Sequence, residues 1–170
     1  MTLKISRRSL LVAAISAPFA SSFAYAGSKY GEWPGDEEPG TIVIITGDRT
    51  LHLVGENNTR TSYAIAVGRE GTQWFGETHV THKRKNPEWR PTPNMRKKDP
   101  SLPEVVKPGP NNPLGDRAIY LAEGYLRIHG TNNPKSIGSD ASSGCYRLYA
   151  DDIHELYDLV EPGARVIVVP

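Results

Sequence analysis

Between Thr41 and Val67 apolar side chains return at every second position: Leu51 and Leu53 stand between polar neighbours, and Tyr63, Ile65 and Val67 repeat the pattern. A period of two is the mark of a half-buried strand, because successive side chains of an extended chain point to opposite faces. Thr41 to Thr46 is an apolar run, and Gly47-Asp48-Arg49 between it and the run Thr50 to Val54 predicts a hairpin turn. Gly76 to Thr81 continues the strand pattern, Ala118 to Ala122 and Tyr125 to His129 flank Glu123-Gly124 as a second hairpin, and the valine-rich stretch Arg165 to Val169 reads as a last strand. Helical spacing is clear in one place, where Ile153, Leu156, Tyr157 and Val160 follow Asp151 and Asp152 and stop at Pro162-Gly163. The pattern therefore predicts a mainly β fold with one clear helix near the C-terminus.

Periodicity disappears from Lys83 to Gly115, where eight prolines fall. A loop this long is usually a functional lid or binding loop, or else disordered. Trp89 and Met95 are its apolar anchors, set either against the domain itself or against a substrate. The basic runs Lys83-Arg84-Lys85 and Arg96-Lys97-Lys98 are brief, the net charge is +1, and no phosphate-cradling motif is present, so the chain gives no sign of a nucleic-acid partner. Solvated loop faces are the plain reading of both runs.

The chemistry concentrates between Ile128 and Arg147, where His129 precedes the single cysteine, Cys145, by sixteen residues. A thiol is a weak nucleophile at neutral pH until a nearby imidazole takes its proton. Gly130 and Gly144, one beside each partner, suit tight turns that expose both side chains, and the amides around Ser143, Gly144 and Cys145 are placed to hold a developing oxyanion. Acyl transfer through a thioester is the implied reaction, against the alternative of a cysteine that merely fills space in a core. Arg147 either holds a substrate carboxylate or braces its own loop, and Thr131 and Asn132 either orient substrate or make an ordinary turn. On a strand, His79 and His82 point to opposite faces by spacing, which argues against a shared metal, and no cofactor is implied.

At the N-terminus, Arg7-Arg8 precede an apolar run to about Phe19 and Ala24-Tyr25-Ala26 supplies a small-x-small cleavage site. Residues 1–26 read as an export signal of the twin-arginine or the Sec type, too short in its apolar run to span a bilayer, and no later stretch is long enough to span one. Residues 27–40, rich in glycine, proline and acids, read as a flexible leader, and 41–170 as one domain. A lone cysteine rules out an internal disulfide.

The motif His129-Gly130-Thr131, followed by Ile137-Gly138 and then by Ser142, Gly144-Cys145 and Arg147, resembles the active-site signature of the L,D-transpeptidases, the YkuD-type bacterial cell-wall enzymes. Val67-Gly68-Arg69, Pro87-Glu88-Trp89, Asn112-Pro113-Leu114-Gly115 and Asp152-Ile153 through Leu156-Tyr157 also look like family positions. The chain departs from many members at Ser143 (histidine), Tyr146 (isoleucine or valine) and Ala150 (asparagine).

The resemblance implies a YkuD-like β-sandwich or barrel, with the proline-rich loop over the groove. It also implies an exported enzyme of a Gram-negative periplasm that acts on peptidoglycan stem peptides. Cys145, His129, Gly144 and Ser143 would be catalytic, and Gly130, Thr131, Asn132, Arg147 and Trp89 would meet substrate. The acceptor would be a stem amine, a lysine of an outer-membrane protein, or water, the last making an L,D-carboxypeptidase. A cell-wall cysteine peptidase and a wall-binding module without chemistry are the rival readings.

Overall fold

The computed structural model describes residues 29–170, so the expected export signal, 1–26, lies outside the described residues. In chain order the elements are β1 (Tyr30–Glu32), β2 (Ile42–Ile45), β3 (Thr50–Val54), β4 (Thr59–Ala64), β5 (Val67–Gly68), β6 (Gly76–Lys85), α1 (Pro93–Lys98), β7 (Arg117–Leu121), β8 (Arg127–His129), β9 (Asp140–Ser142), β10 (Tyr146–Arg147), α2 (Ala150–Leu159) and β11 (Arg165–Val169). Nine strands form one sheet in the order β1-β4-β3-β2-β11-β6-β7-β8-β10, and β5 pairs with β9. Just past β4, Ala66 exchanges backbone hydrogen bonds with Arg147 of β10, at 2.9 and 3.0 Å. That bridge joins one end of the sheet to the other. The result is the barrel-like, mainly β architecture expected from the sequence.

Alternation explains which side chains line the interior. Leu51, Leu53, Tyr63, Val80, Ile119, Leu121, Ile128, Tyr146, Val166 and Val168 all point into one apolar cluster, and α2 lays Ile153, Leu156 and Tyr157 against it. Each such side chain contributes on the order of 1.5–3 kcal/mol on burial. β6 is bulged between Val80 and His82, pairing with β11 up to His79 and with β7 from Val80 onward, so one long strand turns the corner of the barrel.

Three expectations are corrected. The leader is not free: β1 pairs with β4, and Lys29 reaches Asp152 at 2.7 Å and Glu155 at 2.6 Å on the first turns of α2, with its ammonium 5.0 Å from the Tyr63 ring centroid. Strand β6 runs on to Lys85 rather than ending near Thr81, because its partner β7 continues to Arg117. Lys83 is consequently not a solvated loop residue. Its ammonium donates to the carbonyls of Tyr157 at 2.8 Å and Val160 at 2.5 Å, capping the negative C-terminal end of α2.

The proline-rich stretch is folded. Trp89 and Val106 pair through two backbone hydrogen bonds, and Thr92 caps the short helix α1 by accepting from the Met95 amide. At its centre lies Asn112, fully buried. Its amide nitrogen donates to the carbonyls of Pro87, Val106 and Lys107 at 2.8–3.3 Å, and its carbonyl accepts from the Leu114 amide at 2.8 Å. Replacing it orphans several buried backbone groups together. Asn112→Ala is expected to lower unfolding free energy by about 2–4 kcal/mol in a denaturant titration, and an unchanged midpoint would contradict this role.

Candidate active site

Strands β8 and β10 build the site. Their parallel pairing sets Tyr146 beside Ile128 and Arg147 beside His129, and Cys145 stands one residue before β10, level with Arg127. Ile128 and Tyr146 are 0% and 1% exposed and face the core. Alternation sends Arg127, His129, Cys145 and Arg147 to the other face together. Tyr146, where many L,D-transpeptidases carry a smaller aliphatic residue, is therefore a packing difference on the core side of the strand.

His129 is buried, and its Nδ1 lies 2.5 Å from the Gly130 carbonyl oxygen. A carbonyl only accepts, so Nδ1 carries the proton and Nε2 keeps its lone pair, the form a general base requires. Burial drives the His129 pKa down to about 3, the Gly130 bond opposes this, and the cations of Arg147 and Arg127 add to it. Gly130 itself is needed for closeness. A Cβ there would stand 3.3 Å from the Leu114 carbonyl and 3.4 Å from Ile153 Cγ2 of α2.

Cys145 is half-buried, and its thiol donates to the Tyr125 carbonyl at 3.4 Å. Burial raises its pKa, against the backbone and guanidinium of Arg127 and, more weakly, Arg147. The resting pair is thus a neutral thiol and a neutral imidazole. Just before it, Gly144 has φ +125°, which disfavours a side chain, and a Cβ there would lie 3.1 Å from the Thr72 carbonyl.

Ser142, buried and a member of the motif to which the sequence reading assigned no role, accepts from the Gly144 amide at 3.0 Å and donates to the Cys145 carbonyl at 2.5 Å. The Gly144 amide is thereby removed from the donors expected at an oxyanion. The Ser143 and Cys145 amides have no protein acceptor among the described residues. Ser143 exposes its side chain and contributes backbone alone.

The remaining expected residues divide. Arg147 bonds Ser136 Oγ at 3.4 Å and finds no carboxylate among the described residues, while burial and the nearby Arg69 push its pKa down. It is not braced by an acid. The Thr131 hydroxyl accepts from the Asn133 amide at 3.0 Å, making a turn, and Asn132 donates to the Asn111 carbonyl at 3.1 Å, tying the site loop to the proline-rich segment. Trp89 is half-buried in the ladder of that segment, and no hydrogen bond joins it to Cys145 or His129. Arg127 was missed by the sequence reading although its place two residues before His129 puts it on the same face.

Known proteins resemble this chain in sequence and in fold. The family model of YkuD, an L,D-transpeptidase catalytic domain, matches residues 39–168. The chain is 38% identical over 144 residues to the Escherichia coli (strain K12) protein named "Probable L,D-transpeptidase ErfK/SrfK", covering 80% of this chain and 46% of that one. It is 38% identical over 145 residues to "Probable L,D-transpeptidase YcfS" of the same strain, covering 80% and 45%. The chain spans about half the length of these curated relatives. In three dimensions it resembles an L,D-transpeptidase from Mycobacterium smegmatis with a TM-score of 0.62 at 20% identity, over 76% of this chain and 58% of that one.

The buried neutral imidazole has a consequence for stability. In the unfolded chain His129 titrates near its ordinary 6.5, and in the fold near 3, so between those values the unfolded state holds more protons and stability is lost as pH falls. His129→Asn is expected to lose about 2 kcal/mol less than the unaltered chain on going from about pH 7 to about pH 4.5 in denaturant titrations. Parallel losses in the two proteins would contradict the depressed value.

Proposed function

This chain belongs to the L,D-transpeptidase (YkuD) catalytic-domain family, and from that premise we propose that it transfers peptidoglycan stem peptides through a thioester on Cys145. The observation that carries the reading is the His129 tautomer. With Nδ1 committed to the Gly130 carbonyl, Nε2 is the only ring atom free to take a proton, on the face of the sheet that also carries Cys145.

In this reaction His129 Nε2 removes the thiol proton as Sγ attacks the carbonyl carbon between the third-position diamino acid and the terminal D-alanine of a tetrapeptide stem. The carbonyl oxygen becomes an oxyanion, facing the Ser143 and Cys145 amides. Collapse of the tetrahedral intermediate breaks the C–N bond, and the imidazolium returns its proton to the departing D-alanine amine. An acceptor amine then attacks the thioester, giving up a proton to His129, and the thiol is restored when that proton returns to sulfur. The acceptor is a second stem or a lysine of an outer-membrane protein, and water in its place gives a carboxypeptidase. Arg147, with Arg69 nearby and neither paired to an acid among the described residues, suits a stem carboxylate. Because Arg7-Arg8, the apolar run and Ala24-Tyr25-Ala26 have the form of an export signal, the reaction is assigned to the periplasm.

Purified protein incubated with a disaccharide tetrapeptide is expected to release D-alanine and yield a crosslinked dimer by mass spectrometry. A tripeptide as sole product would move the assignment to hydrolysis, and a dimer formed by Cys145→Ala would sink the mechanism. His129→Ala should lose about 10²–10⁴-fold in rate. Arg147→Gln is expected to raise KM about tenfold with a smaller change in kcat, and a loss confined to kcat would refute carboxylate binding.

A further inference from the structure

A row of side chains crosses four strands on the face that carries the thiol. Pairing of β6 with β7 sets His82 beside Tyr120, pairing of β7 with β8 sets Tyr120 beside Arg127, and the β8–β10 register sets Arg127 beside Cys145. His82, Tyr120 and Arg127 are registered neighbours on one face, and Cys145 joins that face by continuing the β8–β10 register one residue back from Tyr146. The contacts follow the register. The His82 and Tyr120 rings stack at a centroid distance of 4.2 Å and an interplanar angle of 13°, and the Arg127 guanidinium lies 5.1 Å from the Tyr120 ring centroid.

Arg127 is held there without an acid. Its Nη1 donates to the Tyr125 carbonyl at 3.2 Å, and its Nε is buried with no hydrogen-bond partner among the described residues. No carboxylate pairs with it among the described residues. A buried guanidinium nitrogen left unpaired is costly, and such a group needs a reason in the chemistry of its surroundings. The same Tyr125 carbonyl accepts the Cys145 thiol proton at 3.4 Å, so thiol and guanidinium converge on one oxygen. When sulfur ionises it loses that bond and turns a negative charge toward a carbonyl dipole. The neighbouring cation is the group able to offset this.

We propose that Arg127, seated on the Tyr120–His82 stack, is the positioning residue that supplies the counter-charge to the Cys145 thiolate. The inference deepens the proposed function and rests on it only in taking Cys145 as the nucleophile. It assigns charge stabilisation to Arg127 and leaves proton removal to His129, which the buried setting keeps neutral. The charged groups beside the thiol are Arg127 from β8 and Arg147 from β10, with Arg69 next to Arg147; His129 of β8 shares their face, Tyr120 of β7 and His82 of β6 stand behind Arg127, and the Tyr146 phenol lies on the core side. Among them Arg127 is the cation level with sulfur.

The test reads the thiol directly, without a stem peptide. Alkylation of the full chain by iodoacetamide, in which the S–C bond forms as iodide leaves, follows the thiolate fraction across pH. Arg127→Gln is expected to move the profile up by about one pH unit or more, as loss of an adjacent opposite charge does, and so to slow alkylation about tenfold at neutral pH. Arg127→Lys should recover most of the shift, and Tyr120→Leu, which frees the guanidinium from its seat, should give part of it.

A profile unchanged in Arg127→Gln would overturn the proposal, as would a shift that lysine fails to recover, since the role would then be packing. If Arg127→Gln does not fold, the Lys and Tyr120→Leu profiles decide by the same criteria. An unchanged profile together with lost crosslinking would place Arg127 on the substrate instead. A chain whose thiol titrates as expected yet transfers no stem peptide would sink the proposed function and leave this inference standing.

Discussion

Two residues of parallel pairing, Tyr146 with Ile128 and Arg147 with His129, carry the geometry of the whole site. So short a ladder is weak by itself. It holds because Ile128 and Tyr146 are among the most deeply buried side chains of the core, and because Arg147 is tied on its other edge to Ala66 where the barrel closes. A slip of one residue would turn Tyr146 out of the core and Cys145 into it. Apolar packing on one face of β8 and β10 thus fixes the positions of Arg127, His129, Cys145 and Arg147 on the other.

The electrostatics of that outer face have a consistent sense. Arg127 and Arg147 lie beside a half-buried thiol, with Arg69 next to Arg147, no carboxylate among the described residues pairs with any of them, and His129 is kept neutral by burial. Cations favour a thiolate and an anionic ligand, whereas burial opposes charge on thiol and imidazole alike. The balance leaves thiol and imidazole uncharged. Ser142 contributes rigidity by spending its hydroxyl on the Gly144 amide and the Cys145 carbonyl, which fixes the turn on which sulfur sits.

Sequence reasoning reached the parts of this structure that are local in pattern. Strands with alternating apolar residues and the helix carrying Ile153, Leu156 and Tyr157 follow from spacing and residue chemistry. What escaped it depends on distant partners. Nothing near Tyr30 announces a strand, because β1 exists through pairing with β4 and through Lys29 meeting two carboxylates of α2. Lys83 resembles any solvated lysine until the end of α2 is placed above it. Arg127 sits at an alternating position and was legible in principle, but its significance appears only once β10 lies alongside. The Gly144 amide was misassigned because a hydroxyl two residues earlier claims it, a bond invisible in the motif.

The central claim is that sulfur and Nε2 on this face act together as nucleophile and base, and the most direct test is to trap the intermediate they would make. Intact-protein and peptide mass spectrometry of the chain mixed rapidly with a tetrapeptide donor, without an acceptor amine, should find Cys145 carrying the donor acyl group less D-alanine, and His129→Ala should accumulate it far more slowly. D-alanine released at full rate with no acyl group ever found on the Cys145 peptide would contradict the account.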